Sequence, residues 1–317
     1  MAYSNILPDP SNPVKDSGKA DTLGTNSAPG FASMSISSES KTISNRTNSG
    51  RFISVSSGGH KWSFSMTYNP LTREDFEPVF NFLLQQKGKL SPFFVSLPQN
   101  KLPRNATFAN TVSPSPGLNK TMKTFGEPVQ RSELVKGKEY KITSTGSNAS
   151  SYWQAAGAVT GSLNEVFIAR GTASNIGGGH AAETYKDAGK DNLQITFTNY
   201  DVATHSVPKP GDFFTVSDSS DTLHTKLYKV TRVETPSDFE VALVDPDSNS
   251  NPSYTTGMSD AIRIHFTPGL QRKLYVDASL NFYDPKPRVF LSDDVQEYSL
   301  NNENLYSFSL KLEEAQK

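Results

Sequence analysis

The chain has 317 residues, 35% of them hydrophobic and 20% charged, with 31 Lys plus Arg against 32 Asp plus Glu and a formal net charge of −1. That balance leaves no overall pull toward nucleic acid or anionic lipid, so no specific nucleic-acid binding is expected. Cysteine is absent, which removes disulfides, thiolate metal sites and thiol nucleophiles.

The length predicts two or three folding units, and 21 glycines with 20 prolines predict many short strands and little helix. No window approaches the roughly 18 apolar residues of a membrane span, and the first residues lack a basic region followed by an apolar one. A soluble product is expected, with no secretory signal of its own and no membrane insertion.

Residues 1–50 carry Ser, Asn, Asp, Gly and Pro where an apolar period would stand, and read as an N-terminal arm. Its isolated anchors, Ile6, Leu7, Phe31, Met34 and Ile36, are candidates for a subunit interface. Short strands are expected at Ser35–Ser44 and Arg51–Val55. From His60 to Tyr68 the apolar residues Trp62, Phe64, Met66 and Tyr68 alternate with polar ones, the pattern of a strand with one buried face.

The period then changes from two to three and four. Phe76, Val79, Phe80, Leu83 and Leu84 define one stripe of a helix near 72–87, which Thr72 would cap and Gly88 would end, with Pro78 in an early turn. Extended chain follows at Pro92–Leu97. A polar, proline-bearing stretch from Gln99 to Gln130 suggests a boundary.

Strands are expected at Glu139–Thr143, Val166–Ala169, Leu193–Thr198, Asp212–Val216, Leu227–Val233 and Phe239–Val244. After a polar run, Asp245–Thr256, alternation resumes at Ile262–Phe266, Leu274–Phe282 and Tyr306–Leu312. The expected fold is therefore mainly β: a β-sandwich or barrel domain with one packed helix, from residues 51–105 and 258–317, plus one or two inserted small all-β domains at 106–257, with three sequential domains as the alternative that periodicity leaves open.

Chemistry-bearing residues are scattered. His60, His180, His205, His224 and His265 form no i, i+3 or i+4 pair, and surface or strand-edge positions are expected for them. No nucleophile elbow, phosphate loop or dinucleotide fingerprint occurs, and the Gly177–Gly179 run reads as a hairpin tip. Asp245, Asp247 and Asn249 begin like a calcium loop, but Ser250 and Thr256 stand where glycine and a bidentate glutamate are needed.

The neighbouring acids Asp293 and Asp294, or Glu313 and Glu314, point to opposite sides of an extended chain and read as a solvated edge. No catalytic residue, metal or cofactor is assigned. Tyr152 and Trp153, in a Ser-rich stretch, are either a glycan-stacking platform or an anchor for a small core.

Residues 58–89, Gly-Gly-His-Lys-Trp-Ser-Phe-Ser-Met-Thr-Tyr-Asn-Pro-Leu-Thr-Arg-Glu-Asp-Phe-Glu-Pro-Val-Phe-Asn-Phe-Leu-Leu-Gln-Gln-Lys-Gly-Lys, resemble bacteriophage tail proteins of the distal tail or baseplate hub kind. Looser echoes lie in Leu305–Leu312 and in Leu134–Thr143 with Tyr152 and Trp153. The resemblance implies a non-enzymatic virion protein: a β domain with a packed helix, assembled as a homo-oligomeric, commonly hexameric ring. It implies a place at the tail tip or baseplate after assembly in the host cytoplasm, with the tail tube and other tail proteins as partners. The alternatives are a tail tube or terminator ring protein, a carbohydrate-binding adhesin contacting host surface glycan, and a polysaccharide depolymerase.

Overall fold

A computed structural model describes residues 6–8, 31–56, 59–114, 116–126, 128–146, 149–174, 178–197, 199–235 and 261–315. The expected strand Phe239–Val244 and the calcium-like run from Asp245 fall outside the described residues, as do most of the arm and Gly177. The protein is mainly β, 38% strand and 15% helix, with a closed six-stranded barrel and several small sheets.

In chain order the first elements are β1 (Phe31–Glu39), β2 (Thr42–Arg46), β3 (Phe52–Ser56), β4 (Lys61–Tyr68), α1 (Arg73–Gln86) and β5 (Phe93–Phe94). There follow α2 (Ala106–Val112), β6 (Met122–Phe125), β7 (Pro128–Gln130), β8 (Glu139–Ser144), α3 (Ala149–Ala156), β9 (Val166–Ile168), β10 (His180–Glu183) and β11 (Tyr185–Lys186). Next are β12 (Asn192–Thr196), α4 (Val202–His205), β13 (Phe213–Ser217), β14 (Leu227–Glu234), β15 (Ile262–Thr267), β16 (Leu274–Tyr275) and β17 (Ser279–Asn281). The last are β18 (Arg288–Leu291), β19 (Ser299–Leu300), β20 (Tyr306–Ser307) and β21 (Ser309–Glu314).

Two compact units result. The first comprises residues 1–101, Thr225–Leu227 and 284–317; the second, 102–224 and 228–283.

The first unit is built on a five-stranded sheet in the order β1-β4-β21-β18-β5, antiparallel at every pairing. The alternation in β4 works as its sequence requires: Trp62, Phe64, Met66 and Tyr68 are buried, and Leu310 and Leu312 of β21 lie opposite Met66 and Phe64. Opposed apolar pairs of this kind hold register, because a one-residue slip would turn the buried set outward. Helix α1 covers this sheet. The Phe76 ring stacks on Tyr306 at 4.4 Å and meets Phe308 edge-on at 5.3 Å, while Phe82 meets Phe93 edge-on at 5.3 Å.

The buried stripe of α1 is Phe76, Val79, Phe82 and Leu83, so Leu84 of the expected stripe is exposed and Phe82 replaces it. Thr72 is the N-cap residue, yet its hydroxyl bonds the Asp75 carboxylate rather than a backbone N–H. The left-handed C-cap is Lys87, at φ 55, one residue before the expected Gly88.

The second unit contains the closed barrel β12-β15-β14-β13-β17-β6 and the sheet β7-β10-β8-β9. Phe108, Leu193, Ile195, Phe214, Tyr228, Ile264, Phe266 and Phe282 fill the barrel core. The smaller core gathers Leu134, Tyr140, Ile142, Trp153, Phe167 and Ala181. One expected boundary moves: Ile262–Thr267 and Ser279–Asn281 are barrel strands of this unit, so the first unit resumes at 284 rather than at 258. Alternation identified these residues as strands, but strand pairing decided which sheet they joined.

Candidate functional site

The first unit has an open sheet edge. Strand β1 pairs with β4 on one side and, among the described residues, with no strand on the other. An unpaired row of N–H and C=O groups is a template for another chain.

Between β1 and β4 the hairpin β2–β3 projects beyond their last pairing, Glu39 opposite Lys61. Its described side chains are all exposed, including Ile43 (68%), Phe52 (61%) and Val55 (63%). A two-stranded ribbon alone is marginal in water, and among the described residues none of this hairpin's apolar side chains is buried.

The five arm residues expected at a subunit interface are engaged within their own chain. Leu7 is fully buried and its amide donates to the Phe94 carbonyl at 2.9 Å, while Ile6 makes a parallel bridge to Phe94. Phe31, Met34 and Ile36 are half-buried on β1, with Met34 opposite Met66, Ile36 opposite Phe64 and the Phe31 ring 5.1 Å from Tyr68. Within the chain Leu7 is a core residue and the other four are half-buried along the sheet. The exposed apolar residues lie instead on the hairpin, in the stretch where Ser35–Ser44 and Arg51–Val55 are expected as short strands.

A buried polar network ties β4 to the short segment Thr225–Leu227. The side chains of Lys226 and Glu314 are 2% and 0% exposed and form an ion pair. Lys226 Nζ also donates to the His60 carbonyl at 2.6 Å, and Glu314 accepts the amides of Leu227 at 3.0 Å and Trp62 at 3.3 Å. Trp62 Nε1 donates to the Leu227 carbonyl at 2.9 Å. Burial pulls the Lys226 ammonium below its ordinary pKa, against the attraction of Glu314. Glu313, its sequence neighbour, bonds Lys61 at 3.0 Å with a third of its side chain exposed. The expectation of a solvated edge therefore fails for Glu314, because it lies on the buried face of β21 with Leu310 and Leu312 and is paired there with Lys226. Asp293 and Asp294 are exposed, and Asp294 accepts the amide of Lys89 at 3.0 Å.

Trp153 does not present a stacking face. It is fully buried, its Nε1 donates to the Thr145 carbonyl at 3.1 Å, and the Phe167 ring and the Arg131 guanidinium lie 5.8 and 5.2 Å away. The platform reading is corrected for this residue, since the core of so small a sheet requires its largest ring inside. Tyr152 is half-buried with the same guanidinium 5.1 Å from its ring.

The histidines remain apart. His60 bonds Ser38 Oγ at 2.8 Å, His205 bonds the Asp201 backbone, His265 faces Glu234 at 3.1 Å, and His180 is half-buried on β10. His224, expected near the surface, is buried, with Nε2 2.6 Å from the Tyr228 hydroxyl. Desolvation pulls His60, His180 and His224 below the usual histidine range. No three potential metal-ligating groups cluster among the described residues, and no described helix is long and apolar enough to cross a membrane. A cavity bordered by Thr124, Tyr185, Gln194 and Tyr275 measures about 10 Å³, room for roughly one water.

One carboxylate is held unusually well. Glu165 accepts the amides of Val159, Thr160, Gly161 and Ser162 and the hydroxyl of Thr160. These donors, the Thr160 hydroxyl first, hold its pKa down to about 2. It closes the turn before β9, so the arrangement organises a loop. No family model matches the chain, and no curated protein matches it.

Proposed function

We propose that this protein is a virion structural subunit, a distal tail or baseplate hub ring component joining a phage tail tube to the host-recognition apparatus. The observation that carries the reading is the hairpin β2–β3, whose exposed apolar residues stand beside the open edge of β1. Chains that meet through edges and arms gain main-chain hydrogen bonds and apolar burial together, and head-to-tail repetition of one contact closes a ring. The resemblance of residues 58–89 to distal tail and baseplate hub proteins supports the same reading, because those residues form β4 and α1, the scaffold behind that edge. A hexameric homo-oligomer is the stoichiometry the resemblance favours, with no catalytic role assigned.

Gold-labelled antibody against the purified chain, applied to intact particles, tests the assignment. Label at the tail tip is the expected result. Label along the tube, or at its head end, would favour the tube or terminator alternative. Particles free of the chain would refute a virion role. With Trp153 in the core, the adhesin alternative keeps Tyr152 and the Ser and Asn loops of the middle region, and glycan-array binding weakened in Tyr152→Ala would be its signature.

A further inference from the structure

Two surfaces of the first unit are opposite in charge, and among the described residues each leaves apolar side chains exposed. On the hairpin, Ile43 lies opposite Val55 and Asn45 opposite Ile53, so Ile43, Ile53 and Val55 share one face. The stretch from Ser40 to Ser56 contains Lys41, Arg46 and Arg51 and no acidic residue.

The second surface runs from Ser292 to Asn304, beside the C-terminal half of α1. It contains Asp293, Asp294, Glu297 and Glu303 and no basic residue; Lys87 and Lys89 flank it on the helix end. Its apolar residues Val295 (68%), Tyr298 (47%) and Leu300 (49%) are exposed. The bond from the Lys89 amide to Asp294, and the Tyr298 ring 5.3 Å from Phe80, hold the segment along the helix. Leu84, one turn past Phe80 and also exposed, extends the patch.

We propose that the hairpin of one copy docks on this acidic, apolar surface of a second copy, Ile43, Ile53 and Val55 against Leu84, Val295 and Tyr298, with Arg51, at the turn end of the ribbon, facing Asp293 and Glu297. The occupant is a second copy because both halves of the joint, apolar and opposite in charge, are carried by one chain that leaves both exposed. The two halves are different surfaces, so the contact is head-to-tail, and each copy both offers a hairpin and receives one. This deepens the ring reading proposed above by naming its joint.

Mass photometry and sedimentation of the full chain across concentration and salt test the joint. The wild type is expected to associate, more weakly as salt rises. Arg51→Glu and, separately, Asp293→Lys/Glu297→Lys should each raise the dissociation constant at least about tenfold, the factor that about 1.4 kcal/mol makes. Mixing the two variants should restore assembly, because each hairpin then meets a receptor of opposite charge. Unchanged circular dichroism and melting temperature show that the variants fold, as substitution of exposed residues predicts.

A wild type that stays monomeric at all concentrations, variants that associate as the wild type does, or a mixture that fails to recover overturns the joint. If annuli form on tails while the charge swap has no effect, the joint is wrong and the tail-ring reading stands. If the swap behaves as expected but particles lack the protein, the tail reading is what falls.

Discussion

Removing Glu314 should damage the first unit more than removing Lys226, although the two form one ion pair. In Lys226→Met the carboxylate loses its counter-charge but keeps the amides of Leu227 and Trp62 at 3.0 and 3.3 Å. In Glu314→Ala the buried ammonium keeps only the His60 carbonyl among the bonds described above, and two buried amides lose their acceptor. Breaking a buried pair from one side costs about 3–5 kcal/mol, and each unsatisfied buried amide adds about 1–3 kcal/mol. Lys226→Met is therefore expected near the low end, about 3 kcal/mol, with Glu314→Ala clearly beyond it. The double substitution Lys226→Met/Glu314→Gln, which removes both charges and keeps an acceptor, should cost less than either.

Urea unfolding followed by tryptophan fluorescence in a Trp153→Phe background isolates this unit, leaving Trp62 as its reporter. With m near 2 kcal/mol/M, a loss of about 3 kcal/mol moves the midpoint down by roughly 1.5 M. Equal effects of the two single substitutions, or a double no milder than Lys226→Met, would refute the account of a charge pair supported by backbone donors.

Trp153→Ala should destabilise the second unit by about 3–5 kcal/mol, the range for truncating a buried aromatic, whereas Tyr152→Ala should cost much less; calorimetry of the two variants checks both. His60, His180 and His224 have native pKa values depressed by burial, so on acidification the unfolded chain takes up protons first. Stability should accordingly fall as pH drops below about 6.5, and for His224, whose charged neighbours are Asp221, Asp218 and Arg272, His224→Gln should flatten the calorimetric profile. Glu165, with its pKa lowered to about 2, stabilises its loop fully above the usual carboxylate range and loses that effect as pH falls toward 2; the exchange protection factors of the Thr160–Ser162 amides should fall in Glu165→Ala at neutral pH and change little in the wild type down to pH 4.

Local patterning determined much of this protein. The alternation of Trp62, Phe64, Met66 and Tyr68 and the change of period at Phe76 are legible because a strand and a helix repeat side chains at different intervals, and both elements stand where those intervals place them. The mainly β class followed from many such short runs. Partnership between distant segments was decided only in three dimensions. Ile262–Thr267 joins the barrel because its edge pairs with β12 and β14, and β-strand alternation carries no label for the neighbour across the ladder. Glu314 reads as one of two adjacent acids, and only the meeting of β21, β4 and Lys226 puts it in the interior. Short strands are expected at Ser35–Ser44 and Arg51–Val55, but their pairing as one hairpin is not, since Ile43, Ile53 and Val55 share a face only after the turn brings the two strands opposite each other. Charge opposite charge on separate surfaces is likewise a property of the folded chain, because distance in space, not along the sequence, sets an electrostatic interaction.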